Sequence, residues 1–405
     1  MPASKSLYIH IPFCKAKCAY CDFFSLGNSG GIPDSYLDAL LNEISFYKYT
    51  YGTDRFRTVY VGGGTPSLLS PAQLSRLLGA ACLSSAPPEE VTVEMNPESL
   101  SEGLLKTFSS CPAKRRRLSL GIQSLNGSAL AGVGRNCSPS SAREALSLVK
   151  RTWKHELCLD LIAGLPGQTD EEFTQSLMEC LSYTPDHMSL YSLTVEEGTP
   201  LSGSISRGET AWDEDEADRQ WLSGREILEK EGYAQYEVSN FCTEGHKSQH
   251  NLTYWRQEDY IGAGSGATGS IYSFSESDGL RWTNTRDVRA YTDFWRHGDT
   301  RGAGAIPRES EDLPLETEEY EFLMMGLRST EGLSSAEYKR RFSAVEPWRG
   351  ELAARLGVNG GAWERFSSIE ELSEDCRIRQ EGNDTRYSFT GKALSFLNSF
   401  LRHLT

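Results

Sequence analysis

Residues 10–24 read HIPFCKAKCAYCDFF and place Cys14, Cys18 and Cys21 in a C-x3-C-x2-C spacing. Three of the chain's ten cysteines therefore fall close together, where a four-thiolate metal site would want one more. Two chemistries fit. A zinc ion would recruit a fourth ligand, with His10 as the local candidate. An iron–sulfur cubane would take three thiolates on three irons and leave the fourth iron open to a small chelating molecule. In a reducing compartment such a cluster reads as metal-binding or catalytic, not as disulfides. Cys82, Cys111, Cys137, Cys158, Cys180, Cys242 and Cys376 stand singly and read as small buried hydrophobes.

Outward from the cysteines, strand and helix alternate. SLYIHIPF (6–13) predicts a strand stopped by Pro12, which leaves the cysteines on a loop. DSYLDALLNEISFYK (34–48) predicts a helix capped by Asp34, and SPAQLSRLLGAAC (70–82) one capped by Ser70 with Pro71 in first position. Between them RTVYVGGGTPSLL (57–69) is a short strand running into glycines. EVTVEMNPE (90–98), RRLSLGIQSL (116–125), ELCLDLIAGLPGQT (156–169) and HMSLYSLTVEEGTP (187–200) predict four more strands. SSAREALSLVKRTW and DEEFTQSLMECLSY predict helices among them. The basic run Lys114–Arg117 reads as a solvated helix end or loop ahead of a strand.

Six such units predict a parallel α/β sheet closing into a partial (β/α)6 barrel. The GGGT loop, Glu94, Gln123 and Asp160 all fall at the carboxyl ends of predicted strands, the rim where such sheets bind ligands. The expected organisation is a core over 1–205, a second region over 206–310, and a small helical, winged-helix-like module over 311–405. Within the second region 210–233 predicts an amphipathic helix, while SESDG (275–279) and RGAGAIPRESEDLP (301–314) read as surface loops or a linker.

The net charge of −15 argues against a nucleic-acid surface, since phosphate binding draws on Lys and Arg. No apolar run is long enough to span a membrane, and the first residues lack a signal peptide's apolar region. The expected compartment is the cytoplasm.

The cysteine spacing, with Tyr20 ahead of the last cysteine, resembles the radical S-adenosylmethionine (SAM) superfamily. That resemblance implies a [4Fe–4S] cluster on Cys14, Cys18 and Cys21, with SAM chelating the open iron. One-electron reduction of SAM would then yield methionine and a 5′-deoxyadenosyl radical. YIHIPFCKAKCAYCDF, GGGTPSLL, VEMNP, RLSLGIQS and DLIAGLPGQT together resemble the oxygen-independent coproporphyrinogen III oxidase (HemN-like) group. By that resemblance Tyr8, Gly63 and Glu94 contact the cluster-bound SAM. Tyr20, Gly64, Thr65, Gln123, Arg135 and Asp160 match positions that hold a second SAM.

The true oxidases carry one more cysteine two residues after the third, where this chain has Phe23, and a long extension before the cluster. Both departures match the other branch, the HemW-like haem chaperones. HNLTYW (250–255), in the HemN-like region, is similar to that branch's HNxxYW signature, with His250 as the candidate haem ligand beside the flat faces of Tyr254 and Trp255. His246 and Cys242 are the next candidates. Thr268 stands where the branch often has a histidine. The resemblance implies haem as cargo, an acceptor haem protein, and an electron donor such as flavodoxin or ferredoxin. The alternatives are a coproporphyrinogen III oxidase and another radical-SAM enzyme such as a methyltransferase.

Overall fold

Six parallel strands form the centre of the fold: β1 (Ser6–Ile11), β2 (Thr58–Gly63), β3 (Glu90–Met95), β4 (Arg115–Gln123), β5 (Glu156–Ala163) and β6 (His187–Ser192). The computed structural model describes residues 5–27, 30–274, 278–296, 305–343 and 350–404. Each strand alternates. Leu7, Ile9 and Ile11, Val59 and Val61, Val91 and Val93, Leu118, Leu120 and Ile122, and Leu159 are all fully buried. They pack in one core with Leu37, Leu40, Leu74, Leu77, Leu104, Phe108, Leu146, Phe173 and Leu177. Those nine come from α1 (Asp34–Thr50), α2 (Pro71–Cys82), α3 (Glu102–Ser109), α5 (Pro139–Thr152) and α6 (Asp170–Leu181), with the short α4 (Gly127–Gly132) between. Burying one such aliphatic chain contributes about 1.5–3 kcal/mol. The other face of the same strands is polar, because side chains two apart share a face. It carries Tyr8 and His10, Tyr60, Thr92 and Glu94, Arg117 and Ser119, Cys158 and Asp160, and His187.

The expected helix starts hold with one change. Ser70 caps α2 through a reciprocal pair with Gln73, and Pro71 occupies the first turn. Asp34 is not the cap of α1. Pro33 holds that place, and Asp34 is the first helical residue, where its charge faces the helix's positive end.

The basic run is also placed differently. Arg115, Arg116 and Arg117 belong to β4, and Arg117 is 2% exposed, with Nη2 2.9 Å from His187 Nδ1. Arg115 pairs with Glu156 at 2.6 Å. Partners on neighbouring strands, invisible to a local reading, bring these charges inside.

The sheet extends past the six strands at both edges. After α7 (Pro200–Ser206) and α8 (Glu214–Lys230), β7 (Ala234–Gln235) and β8 (Asn240–Cys242) add antiparallel beside β6. The short helix α9 (Gln249–Trp255) leads into β9 (Tyr260–Ala263), a seventh parallel strand beside β1. Beyond it lie β10 (Thr268–Ile271), β11 (Gly279–Asn284) and β12 (Arg308–Leu313), with α10 (Val288–Trp295) before β12. Residues 308–313 are thus a strand, not a linker, while 301–304 and 275–277 lie outside the described residues. Glu309, Glu311 and Asp312 hide this strand from a hydrophobic pattern and suit a solvated edge.

The C-terminal part has a core of its own, including Leu323, Leu327, Tyr338, Trp363, Phe389 and Phe400. It joins α11 (Leu315–Gly326) and α12 (Ser335–Phe342) to a three-stranded sheet of β13 (Leu333–Ser334), β15 (Asp384–Phe389) and β14 (Cys376–Glu381). That is the expected small winged-helix-like module.

Candidate functional site

β1 ends at Ile11, and the chain enters the cysteine loop. Leu26 N–H donates to Pro12 O at 2.7 Å and Cys14 N–H to Leu26 O at 2.9 Å, which closes the loop at its base. Ala19 N–H donates to Val133 O at 2.9 Å and ties the loop's far side to the end of α4. The three thiols are unbridged; Cys14 and Cys18 are buried and Cys21 is half-buried. Burial pushes the Cys21 thiol up, and the Cys18 and Cys14 thiols add to the shift, so the three are in electrostatic reach of one another. Among the described residues no three His, Cys, Asp or Glu side chains converge as a single-ion site. A cubane asks for something else, thiolates on three separate irons. Arg135 Nη1 lies 3.7 Å from Cys18 Sγ, a cation that offsets thiolate charge. Three free thiols on one pinned loop beside a guanidinium fit a [4Fe–4S] cluster.

His10 does not complete a zinc site in this structure. Its Nδ1 lies 2.9 Å from Tyr8 Oη and its Nε2 2.8 Å from Phe24 O. Both ring nitrogens are spent, Nε2 on the cysteine loop and Nδ1 on Tyr8 of the same strand, and burial lowers the ring's pKa.

The GGGT loop lies directly against this base. Gly64 N–H donates to Ile11 O at 2.8 Å and Thr65 N–H to Phe13 O at 2.7 Å. Gly63 has φ 107°, and a Cβ there would stand 2.5 Å from His10 Nδ1. A Cβ on Gly64 would stand 2.7 Å from Phe13 O. Only glycine allows this approach of loop to loop. Glu94 faces the same corner: Tyr60 Oη donates to Oε1 at 2.6 Å and Gly63 N–H to Oε2 at 3.2 Å. Burial, then the neighbouring Asp160 carboxylate, pushes Glu94 up to about 7 even though Tyr60 pulls the other way. Tyr8 hydroxyl ionisation is likewise pushed up by burial and then by Glu94.

Two of the second group of expected residues, Thr65 and Arg135, meet at Asn96, which sequence reasoning missed. Asn96 Nδ2 donates to Thr65 Oγ1 at 3.2 Å, and Arg135 Nη2 donates to Asn96 Oδ1 at 3.0 Å and Gly121 O at 2.8 Å. Tyr20 is pushed up by burial and then by the Cys18 thiol, with Arg135 opposing. Gln123 sits at φ 67° on a β-bulge, an uncommon conformation for a side-chain-bearing residue. Its Oε1 and Arg135 Nε are buried without a hydrogen-bond partner, the condition of groups awaiting a polar ligand. Asp160 accepts from Ser119 Oγ at 3.0 Å.

His250 lies elsewhere. It is 1% exposed, its Nδ1 is 2.8 Å from Thr58 Oγ1, and its Nε2 is 3.0 Å from Tyr254 Oη. Thr58 starts β2 and Gly63 ends it, so this ring sits toward the amino ends of the strands, its centroid 5.0 Å from that of Tyr60, whose hydroxyl donates to Glu94. In this conformation neither nitrogen is open to an iron, and ligation would require Tyr254 to move off Nε2. Burial, then the charges of Arg57 and Arg117, lower the ring's pKa to about 3. Cys242 is buried, whereas His246 is half-buried between Glu156 and Asp186. Thr268 pairs across the sheet with Thr283 at 2.8 Å.

Residues 8–180 match the Radical SAM superfamily model. The chain is 34% identical to the Heme chaperone HemW of Lactococcus lactis, covering 87% of this chain and 89% of that protein. It is 36% identical to the Heme chaperone HemW of Escherichia coli, covering 82% and 85%. It is 35% identical to the mitochondrial Radical S-adenosyl methionine domain-containing protein 1 of Mus musculus, covering 85% and 77%. The fold superposes on coproporphyrinogen III oxidase (HemN) of Escherichia coli with a TM-score of 0.73 at 19% identity, covering 99% of this chain and 90% of that one. By the superfamily match over residues 8–180 and by identity over most of its length to two HemW proteins, the chain belongs to the radical SAM superfamily and, within it, to the HemW family.

Proposed function

We propose that the chain holds a [4Fe–4S] cluster on Cys14, Cys18 and Cys21, binds SAM at the barrel rim, and carries haem to an acceptor haem protein in the cytoplasm. The observation that carries the first part is the loop of three free thiols lying against the glycine loop, with Arg135 on Cys18. When bound, the cluster and SAM together supply one-electron chemistry that side chains lack. The protein's own residues do the holding. Tyr8, Gly63 and Glu94 form the nearer contact set. Glu94 offers two carboxylate oxygens to a ribose diol, in a site dry enough to raise its pKa. Tyr20, Gly64, Thr65, Gln123, Arg135 and Asp160 would form a second set, in which the orphaned Gln123 Oε1 and Arg135 Nε would offer hydrogen bonds to a second SAM.

Haem as cargo rests on the names of the HemW relatives and on their identity to this chain over most of its length. The likeness to the oxidase supports the shared fold. Phe23, in the place of the oxidases' additional cysteine, weighs against the oxidase reading. No helix among the described residues is long and apolar enough to cross a membrane. A haem titration of anaerobically reconstituted protein, followed by mixing with an apo-haem protein, tests the proposal. Saturable haem binding and passage of the Soret signature to the acceptor are expected. Haem that never leaves, or never binds, would refute the carrier role.

A further inference from the structure

Cys18 is bonded differently from the other two cysteines. Cys21 N–H donates to Cys18 O at 3.2 Å, which closes a turn that contains Tyr20. The Tyr20 ring packs against the apolar group of Ala129, Val133 and Leu165, and its hydroxyl hydrogen-bonds to the Cys18 sulfur. Arg135, two residues past Val133, reaches the same sulfur. Its Nη1 donates to Cys18 Sγ at 3.7 Å, while its Nη2 is held by Asn96 Oδ1 at 3.0 Å and Gly121 O at 2.8 Å. Its Nε has no partner, and among the described residues no carboxylate stands within 4.0 Å of this guanidinium. Glu98 acts on it only from farther off. The charge of Arg135 is therefore not spent on an ion pair, and Cys18 is the thiol it meets. Cys21, by contrast, takes a backbone N–H from Phe23.

We propose that Arg135 and Tyr20 raise the reduction potential of the cluster by donating to the Cys18 sulfur, with Asn96 as the positioning residue that keeps Arg135 there. Reduction adds one electron, [4Fe–4S]2+ becomes [4Fe–4S]+, and no atom is transferred. The added negative charge is shared by the cysteine sulfurs, so donors on a sulfur favour the reduced form, and a cationic donor favours it most. Asn96 Oδ1 and Gly121 O fix Nη2, which leaves Nη1 on the sulfur. This rests on the reading that the three cysteines hold a cluster. It gives Tyr20 and Arg135 a task that holds whether or not a second SAM binds.

A redox titration of the anaerobically reconstituted protein without SAM, poised with viologen dyes and read by the electron paramagnetic resonance of the reduced cluster, tests it. Arg135→Gln should cut the reduced-to-oxidised ratio at a fixed potential at least tenfold, a fall of about 59 mV for a one-electron couple. Tyr20→Phe, which removes only the hydroxyl, should cut it several-fold. Arg135→Lys keeps the charge and should lie between wild type and Arg135→Gln. Arg143→Gln, which removes a cation of α5 paired with Glu179, should leave the ratio unchanged. Iron and sulfide content should match wild type in each. A wild-type ratio in both Arg135→Gln and Tyr20→Phe, with the cluster intact, would overturn the proposal and leave the cluster reading standing. Equal falls in Arg135→Gln and Arg135→Lys would overturn the role given to the cation. If Arg135→Gln failed to hold iron, Tyr20→Phe would decide, and a wild-type ratio there would overturn the proposal. A wild type that holds no reducible cluster would overturn the cluster reading and the proposal together.

Discussion

Glu90, the first residue of β3, accepts the backbone N–H of His250 at 3.0 Å. The same fully buried carboxylate accepts Gln249 N–H at 3.0 Å, so it seats the amino end of α9 against the starting edge of the barrel. The HNxxYW segment thereby becomes a strut, with His250 bonded to Thr58 and Tyr254 and its ring 5.0 Å from that of Tyr60. His250→Ala should strip the Tyr254 hydroxyl of its ring partner and leave the Thr58 hydroxyl with Ser6 alone, at a cost of about 1–3 kcal/mol of stability. Urea unfolding measures the cost, and the Soret position of bound haem should not move. A shifted Soret band with wild-type stability would put the iron on this ring, and a shift in a His246 or Cys242 variant would put it there.

The same ring sets a pH dependence. Its pKa in the fold is about 3, below the ordinary imidazole value of about 6.5. Between these values the unfolded chain binds a proton that the folded chain refuses. Stability from this group is therefore present above about pH 6.5 and is lost as pH falls toward 3, by about 3–5 kcal/mol in all. His250→Gln should flatten the slope of unfolding free energy against pH in that window. An unchanged slope would mean that the acid sensitivity comes from other groups.

Cys14→Ala, Cys18→Ala and Cys21→Ala should each abolish the brown iron–sulfur chromophore, because each removes one of three anchors. Cys180→Ala, a fully buried thiol behind the sheet, should leave iron and sulfide content unchanged. Iron and sulfide analysis after anaerobic reconstitution decides the matter. Stoichiometric zinc without iron would sink the radical-SAM reading.

Gly63→Ala should weaken SAM binding at least tenfold, about 1.4 kcal/mol, since the new Cβ would press on His10 at a φ that favours glycine. Glu94→Gln keeps the shape but removes the carboxylate, and it too should lower SAM affinity while iron content holds. Equilibrium binding of SAM to the reconstituted protein reads both. Wild-type affinity in both variants would move SAM away from the ends of β2 and β3.

The barrel was legible because its strands leave two marks at once, fully apolar positions on the helix side and glycines or single polar residues at their carboxyl ends. The cysteine loop and glycine loop were legible for the same reason: their residue types do one thing. Glu90 and Asn96 were not, because each is an ordinary polar residue whose meaning lies in partners far along the chain, at Gln249 and His250 or at Thr65 and Arg135. Arg117 was misplaced for the converse reason, a charge that a local pattern assigns to solvent and that His187 draws inside. His250 showed a ligating chemistry in its residue type and a structural one in its surroundings.

Coproporphyrinogen and haem, offered in turn to one anaerobically reconstituted preparation, separate carrier from oxidase most directly. Haem should bind saturably and pass to an apo-haem protein, while product analysis finds coproporphyrinogen unchanged in the presence of SAM and reductant. Robust decarboxylation to protoporphyrinogen, with no haem handed on, would contradict the haem-carrier assignment.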